Sequence, residues 1–194
     1  MSANVWYEQV DIALLKELQN TIRYRDKHGI LVPLEDNALI VRKPEEEFKL
    51  ETFPCVSIYN TTTTFDPMRY NSDPIKVGED IDNSIAIMED PAIPYKLLYQ
   101  IDFWAKYQDD MNNMTMSWTT KHFRQFNLNV IDDGGTERSC NCLIKTPLTK
   151  SDLVSGGERL FHTITSYEIW VELDSETRYN VNMVTDSNYN LTSK

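Results

Sequence analysis

Between Tyr95 and Gln108 the chain alternates. Tyr95, Leu97, Tyr99, Ile101, Phe103, Ala105 and Tyr107 take every second place, with Lys96, Gln100, Asp102, Lys106 and Gln108 between them. Only Leu98 and Trp104 break the polar set. Period two predicts a long strand with one buried face. At about 3.3 Å per residue it spans roughly 40 Å, long enough to overhang one domain and meet a neighbour. Arg159 to Leu173 repeats the pattern, with Phe161, Thr163, Thr165, Tyr167, Ile169, Val171 and Leu173 on one face and Ile164 and Trp170 on the other. Phe126-Asn127-Leu128-Asn129-Val130 is a third alternating strand. Asp132-Asp133-Gly134-Gly135 turns it into a partner over Glu137 to Ile144, because glycine supplies positive φ. Gly156-Gly157 marks another turn.

Helical spacing occurs twice. Trp6, Val10, Leu14, Leu18 and Ile22 recur every four residues and Leu15 widens the stripe, predicting a helix over Val5 to Arg25 that lays one face on a sheet. Asn4 is placed to cap it, and Gly29 follows the basic end Arg23, Arg25, Lys27. Met111, Met114 and Trp118 give a second helix one apolar face; it starts at Asp109 or Asp110 and ends near His122. Phe53 to Asn60 is a continuous apolar run that suits a strand buried on both faces. Leu39-Ile40-Val41 reads as a short strand and Pro44 to Glu47 as an exposed turn.

Two stretches carry no such pattern. Thr61 to Pro94 holds Pro67, Pro74, Pro91 and Pro94 and reads as a long irregular loop, with a short strand over Ile85 to Met88. After Asp174 the chain is polar, with Tyr179, Val181, Met183 and Val184 as sparse anchors. It reads as an arm that orders on a neighbouring subunit. The expected architecture is α+β: a mostly antiparallel mixed sheet flanked by two helices, in one domain over 1–174 with a loop insertion at 61–94 and an arm at 175–194.

Composition narrows the function classes. The formal charge of −11 argues against a surface that grips DNA. It suits a channel through which DNA slides, and serves equally well as a simple aid to solubility. No apolar run approaches the roughly 20 residues of a membrane helix, and no secretory signal opens the chain, so the expected site of synthesis is a cytosol. Cys55, Cys140 and Cys142 are then free thiols, the last two on one face of a strand. Phosphate-loop, dinucleotide, zinc-protease and serine-hydrolase motifs are all missing. His28, His122 and His162 lie too far apart in sequence for a metal pair. Asp80, Asp82, Glu89 and Asp90 are acidic neighbours, but their spacing does not match a calcium loop. The expectation is a protein that is not an enzyme and holds no metal or cofactor.

Four residues stand out as candidate subunit contacts. Asp66-Pro67-Met68-Arg69 reads either as an ordinary turn or as an arginine pairing with carboxylates of an adjacent subunit. Arg159, after Gly157-Glu158, is either part of a turn or an inter-subunit charge contact. Tyr179 is an anchor of the arm.

The stretches PCVSIYN (54–60), DPMR (66–69), YKLLYQIDFWAKYQDDMNNM (95–114) and RLFHTITSYEIWVEL (159–173) resemble the tail terminator and tail completion proteins of tailed bacteriophages. The likeness is to the lambda-type terminator fold, with contractile-tailed phages as the expected source. It covers most of residues 5–173. The resemblance implies a hexameric ring that caps the tail tube, stops its polymerisation and joins the tail to the neck. The implied partners are tube, neck or head-completion and sheath proteins, with DNA passing through unbound and no membrane. The implied location is the virion, after assembly in host cytoplasm. The long loop and arm depart from small terminators. They leave open another neck, connector or baseplate role, or a small-ligand or metal-binding domain.

Overall fold

A computed structural model describes residues 6–26, 28–41, 53–80, 85–131, 135–155, 158–173 and 178–182. The expected cap Asn4, the turn at Pro44 to Glu47, the acidic Asp82, the hairpin residues Asp132 to Gly134, the Gly156-Gly157 turn, and Met183 and Val184 lie outside them. The chain divides into two compact units. The first holds Met1–Thr64 and Tyr95–Val171; the second holds Phe65–Pro94 and Glu172–Lys194.

Unit 1 is α+β. Helix α1 (Trp6–Thr21) buries Val10, Leu14 and Leu18, and Ile22 just beyond its end, as the four-residue stripe requires. It stops four residues short of the expected Arg25. Arg23–Arg25 instead forms strand β1, antiparallel to β2 (Leu31–Pro33). The turn between them suits the sequence. Asp26 accepts the N–H groups of His28 and Ile30, and Gly29 takes φ 75°.

A single 3-10 turn (Asp36–Ala38) leads to β3 (Leu39–Val41), which pairs in parallel with β4 (Cys55–Phe65). β7 (Ile93–Ala105) follows in the sheet, then β10 (Glu158–Leu173), β9 (Glu137–Ser155) and β8 (Gln125–Ile131). The sheet is mixed, because β3 joins β4 in parallel while β8, β9 and β10 pair antiparallel. Leu97, Tyr99, Ile101 and Phe103 of β7 are fully buried, as the alternation demands, whereas Tyr107 is 71% exposed and precedes the next helix. Helix α2 (Gln108–His122) buries Met111, Met114 and Trp118 in the core that α1 enters.

β9 continues well past the expected Ile144. Pro147 sits inside it because the register with β10 shifts between Ile164 and Tyr167, and a bulge tolerates a residue without an N–H.

Unit 2 corrects the irregular reading of 61–94 and of the arm. β4 runs on to Phe65, β5 (Ile75–Asp80) and β6 (Ile85–Glu89) form an antiparallel pair, and β11 (Arg178–Asn182) adds to β6. The first stretch of the expected arm is thus a sheet strand.

Candidate functional site: assembly surfaces

Asp66 and Arg69 are brought together, and their partners are in their own chain. Asp66 follows β4, and its N–H donates to the Pro94 carbonyl at 2.9 Å. Its carboxylate, 2% exposed, accepts the Met68 N–H at 3.3 Å and the Arg69 Nε–H at 2.9 Å. Arg69 also reaches Glu172 at 3.8 Å. The DPMR stretch is therefore a turn locked by its own first side chain. Arg159 lies near the start of β10, opposite Val154 of β9, and its side chain is outside the described residues. Tyr179 stands on β11 opposite Met88 and is 37% exposed.

The larger feature around Tyr179 was not legible from single residues. Directly opposed residues in antiparallel strands share a face. Tyr179 and Met88, with Val181 and Ala86 two pairs along, therefore form an apolar strip on one side of the β5–β6–β11 sheet. Phe65, Met68, Tyr70, Ile75, Val77, Ile93, Tyr179 and Val181 are all exposed in unit 2. Among its described apolar residues Ala86, Pro91 and Pro94 are buried. The acidic residues Asp80 and Glu89 end opposite strands, paired with Ile85 and Ile75, so the hairpin holds them about 13 Å apart.

Two polar clusters lie inside unit 1. Between the helices, Glu17 accepts from Lys121 at 2.6 Å and lies 2.9 Å from His122 Nε2. Burial alone would raise the Glu17 pKa, but Lys121 and then His122 hold it below the usual carboxylate value. Burial lowers His122, against the pull of Glu17. Its ring stacks on Trp118 at 4.0 Å, and Trp118 Nε1 donates to the Tyr167 hydroxyl, which donates to the His122 carbonyl. In the second cluster Asp102 accepts from Gln100 at 2.9 Å and lies 3.0 Å from His162 Nε2, and the His162 ring stacks on Trp104 at 3.7 Å.

Neither pair was foreseen. His162 and Asp102 each sit at a polar place in an alternating strand, and that spacing alone does not show that the other face is also covered. Burial raises the thiol pKa of Cys55 to about 12 and raises Cys142 as well, which suits packing more than reactivity. Among the described residues no group of three His, Cys, Asp or Glu is placed to hold a metal ion.

No family model and no curated protein matches the chain. Among solved structures it is similar to a protein known only by a sequence number, at 9% identity and TM-score 0.39, with 87% of this chain and 96% of that one covered. It is also similar to the PVC sheath/tube terminator of an extracellular contractile injection system, in the extended state, at 12% identity and TM-score 0.46. That match covers 96% of this chain, which spans 64% of the terminator's length.

Proposed function

We infer that this chain is a structural, non-enzymatic virion subunit that assembles with copies of itself into a ring at the end of a phage-type tail tube. The ring is hexameric, ends polymerisation of the tube and offers a docking face to the neck of the filled head. Its partners are the tube protein, a neck or head-completion protein and, in a contractile tail, the last sheath ring. DNA passes through without specific binding.

The observation that carries the reading is the imbalance of unit 2. A three-stranded sheet gains stability by covering an apolar face. Here Tyr179 and Val181 stay in solvent on one face of the sheet, and Ile75 and Val77 of β5 stay in solvent as well. Each large side chain covered later would contribute about 1.5–3 kcal/mol. Clustered exposed apolar groups of this kind mark interaction surfaces. Phe65–Pro94 also holds seven acidic residues against Arg69 and Lys76, so the surface suits apolar partners with a neutral or basic rim. The sequence resemblance supplies the kind of assembly.

Negative-stain imaging with mass measurement, on the chain alone and mixed with tail tubes, tests the reading. Capped tube ends, each carrying a ring, are expected in the mixture. A strict monomer that leaves tube ends growing would sink it.

A further inference from the structure

The six-stranded sheet ends in β8, which has no charge, proline or bulge and against whose buried side α1 packs. Natural edge strands are blunted by charge, proline, a bulge, shortness or a cover. β8 runs seven residues and keeps one register with β9 throughout. Its Gln-Phe-Asn-Leu-Asn-Val-Ile has no charge and no proline, in a chain with 30 acidic and 19 basic residues. The other edges differ. β3 is three residues long, β5 carries Lys76, Glu79, Asp80 and a register shift, and β11 opens on Arg178.

The direction of the backbone groups follows from one hydrogen bond. Ile144 donates its N–H to the Arg124 carbonyl at 3.0 Å, so these two residues form a bonded pair. Bonded pairs alternate along an antiparallel ladder. Phe126, Leu128 and Val130 therefore turn their backbone groups toward β9, and Gln125, Asn127, Asn129 and Ile131 turn theirs outward. Among the described residues no strand pairs with that outer side. The side chains of the same four residues are exposed, while Leu128 and Val130 are buried in the core.

We propose that β8 is a homotypic assembly edge, on which the β8 of a second copy pairs antiparallel about a two-fold axis at Leu128. The outward residues are symmetric about that point. The axis sets Asn127 opposite the partner's Asn129 and Gln125 opposite the partner's Ile131, and each pair exchanges two backbone hydrogen bonds. The register keeps the buried rows of both copies on one side, so the two sheets continue as one. A second copy is the occupant for two reasons. The edge is complementary to itself, and like-charged acidic chains approach at least cost where neither carries charge. The inference needs only that two copies meet, so it stands apart from the tail reading.

Sedimentation equilibrium on the full chain tests it. The wild-type chain should show a dimer at micromolar concentration. Asn127→Pro removes an outward N–H and leaves the bonds to β9 in place. Asn129→Lys sets a cation on the edge. Each should weaken the dimer about tenfold or more while keeping the wild-type far-ultraviolet spectrum. Asn127→Cys mixed with Asn129→Cys should yield disulfide-linked dimers under oxidation, and neither variant alone should. Val181→Asp in unit 2 should leave this dimer unchanged, so loss of ring capping and loss of the β8 contact are read separately. A wild-type chain that stays monomeric, dimers indifferent to both edge variants, or no cross-link on mixing would overturn the proposal.

Discussion

The two units solve the burial problem in opposite ways. Unit 1 closes a core on itself: Leu14, Leu18, Ile58, Ile101, Phe103 and Trp118 are all at or near zero exposure. A buried indole and a buried hydroxyl also find each other there, in the chain from Trp118 to Tyr167 to the His122 carbonyl. Unit 2 spends its apolar residues on the surface and fixes its turns with charge, through Asp66, Arg69 and Glu172. The first arrangement makes a stable body. The second leaves free energy of burial to be gained from a partner.

The sharpest way to break this contrast is one substitution in each unit. Trp118→Ala removes a ring that packs on His122, Phe126 and Tyr167 and takes away the N–H that the Tyr167 hydroxyl accepts. It should cost about 3–5 kcal/mol in urea unfolding. Val181→Asp should change the stability of the isolated chain by no more than about 0.5 kcal/mol, as surface changes usually do, yet abolish tube capping. Equal losses of stability in the two variants would end the distinction. Next in size is Asp66→Ala. It takes away the buried acceptor of Met68 and Arg69, at about 1–3 kcal/mol. Hydrogen exchange should speed up within residues 65–94 and stay unchanged in α2. If exchange is unaltered in the isolated chain, Asp66 does not hold unit 2 together.

Acid should loosen unit 1 through a group that the contrast marks as its own. Burial lowers His122 below its ordinary value of 6.5, so the unfolded chain binds that proton more readily. Stability is then full above pH 6.5 and falls as pH drops below it. Glu17, held below 4.5, adds a second loss as pH falls through that value. Melting temperature followed from pH 8 to 4 should show the first decline, and His122→Gln should remove it. A profile flat between pH 7 and 5 in the wild type would show that His122 does not carry this dependence.

How far the sequence could be read follows the same division. Unit 1 was legible because its elements are long. Seven alternating places in Tyr95 to Tyr107 and four helical ones in α1 outlast any single exception. The exceptions were informative in their own right. Trp104 breaks the polar face of β7 because that side is covered too, by His162. The helix reading ran on to Arg25 because charge at a helix end and charge at a strand start look alike. In unit 2 the strand expected over Ile85 to Met88 is β6, but β5 and β11 were illegible because they have only six and five residues and their apolar side chains do not take alternate buried places. β11 was also missed because its partner β6 lies far back in the sequence. The DPMR turn was half legible: the arginine's wish for a carboxylate could be read, but not that Asp66 itself, three residues back, supplies one.

The smallest expected effect sharpens the comparison most gently. Gly78 lies on β5 beside the register shift, and its φ is not in the positive range. A Cβ there would stand 3.4 Å from Ile87 Cδ1, on the partner strand directly opposite. That is a van der Waals contact and not a clash, so Gly78→Ala should raise stability by about 0.4–1 kcal/mol, largely by stiffening the unfolded chain. The change belongs to unit 2 alone. It should therefore slow hydrogen exchange along β5 and β6 and leave the global urea midpoint of unit 1 nearly where it was. A comparable Gly29→Ala change, at φ 75°, should instead destabilise the β1–β2 turn. If Gly78→Ala destabilised the chain, Ile87 would have no room to give, and unit 2 would be packed as tightly as unit 1.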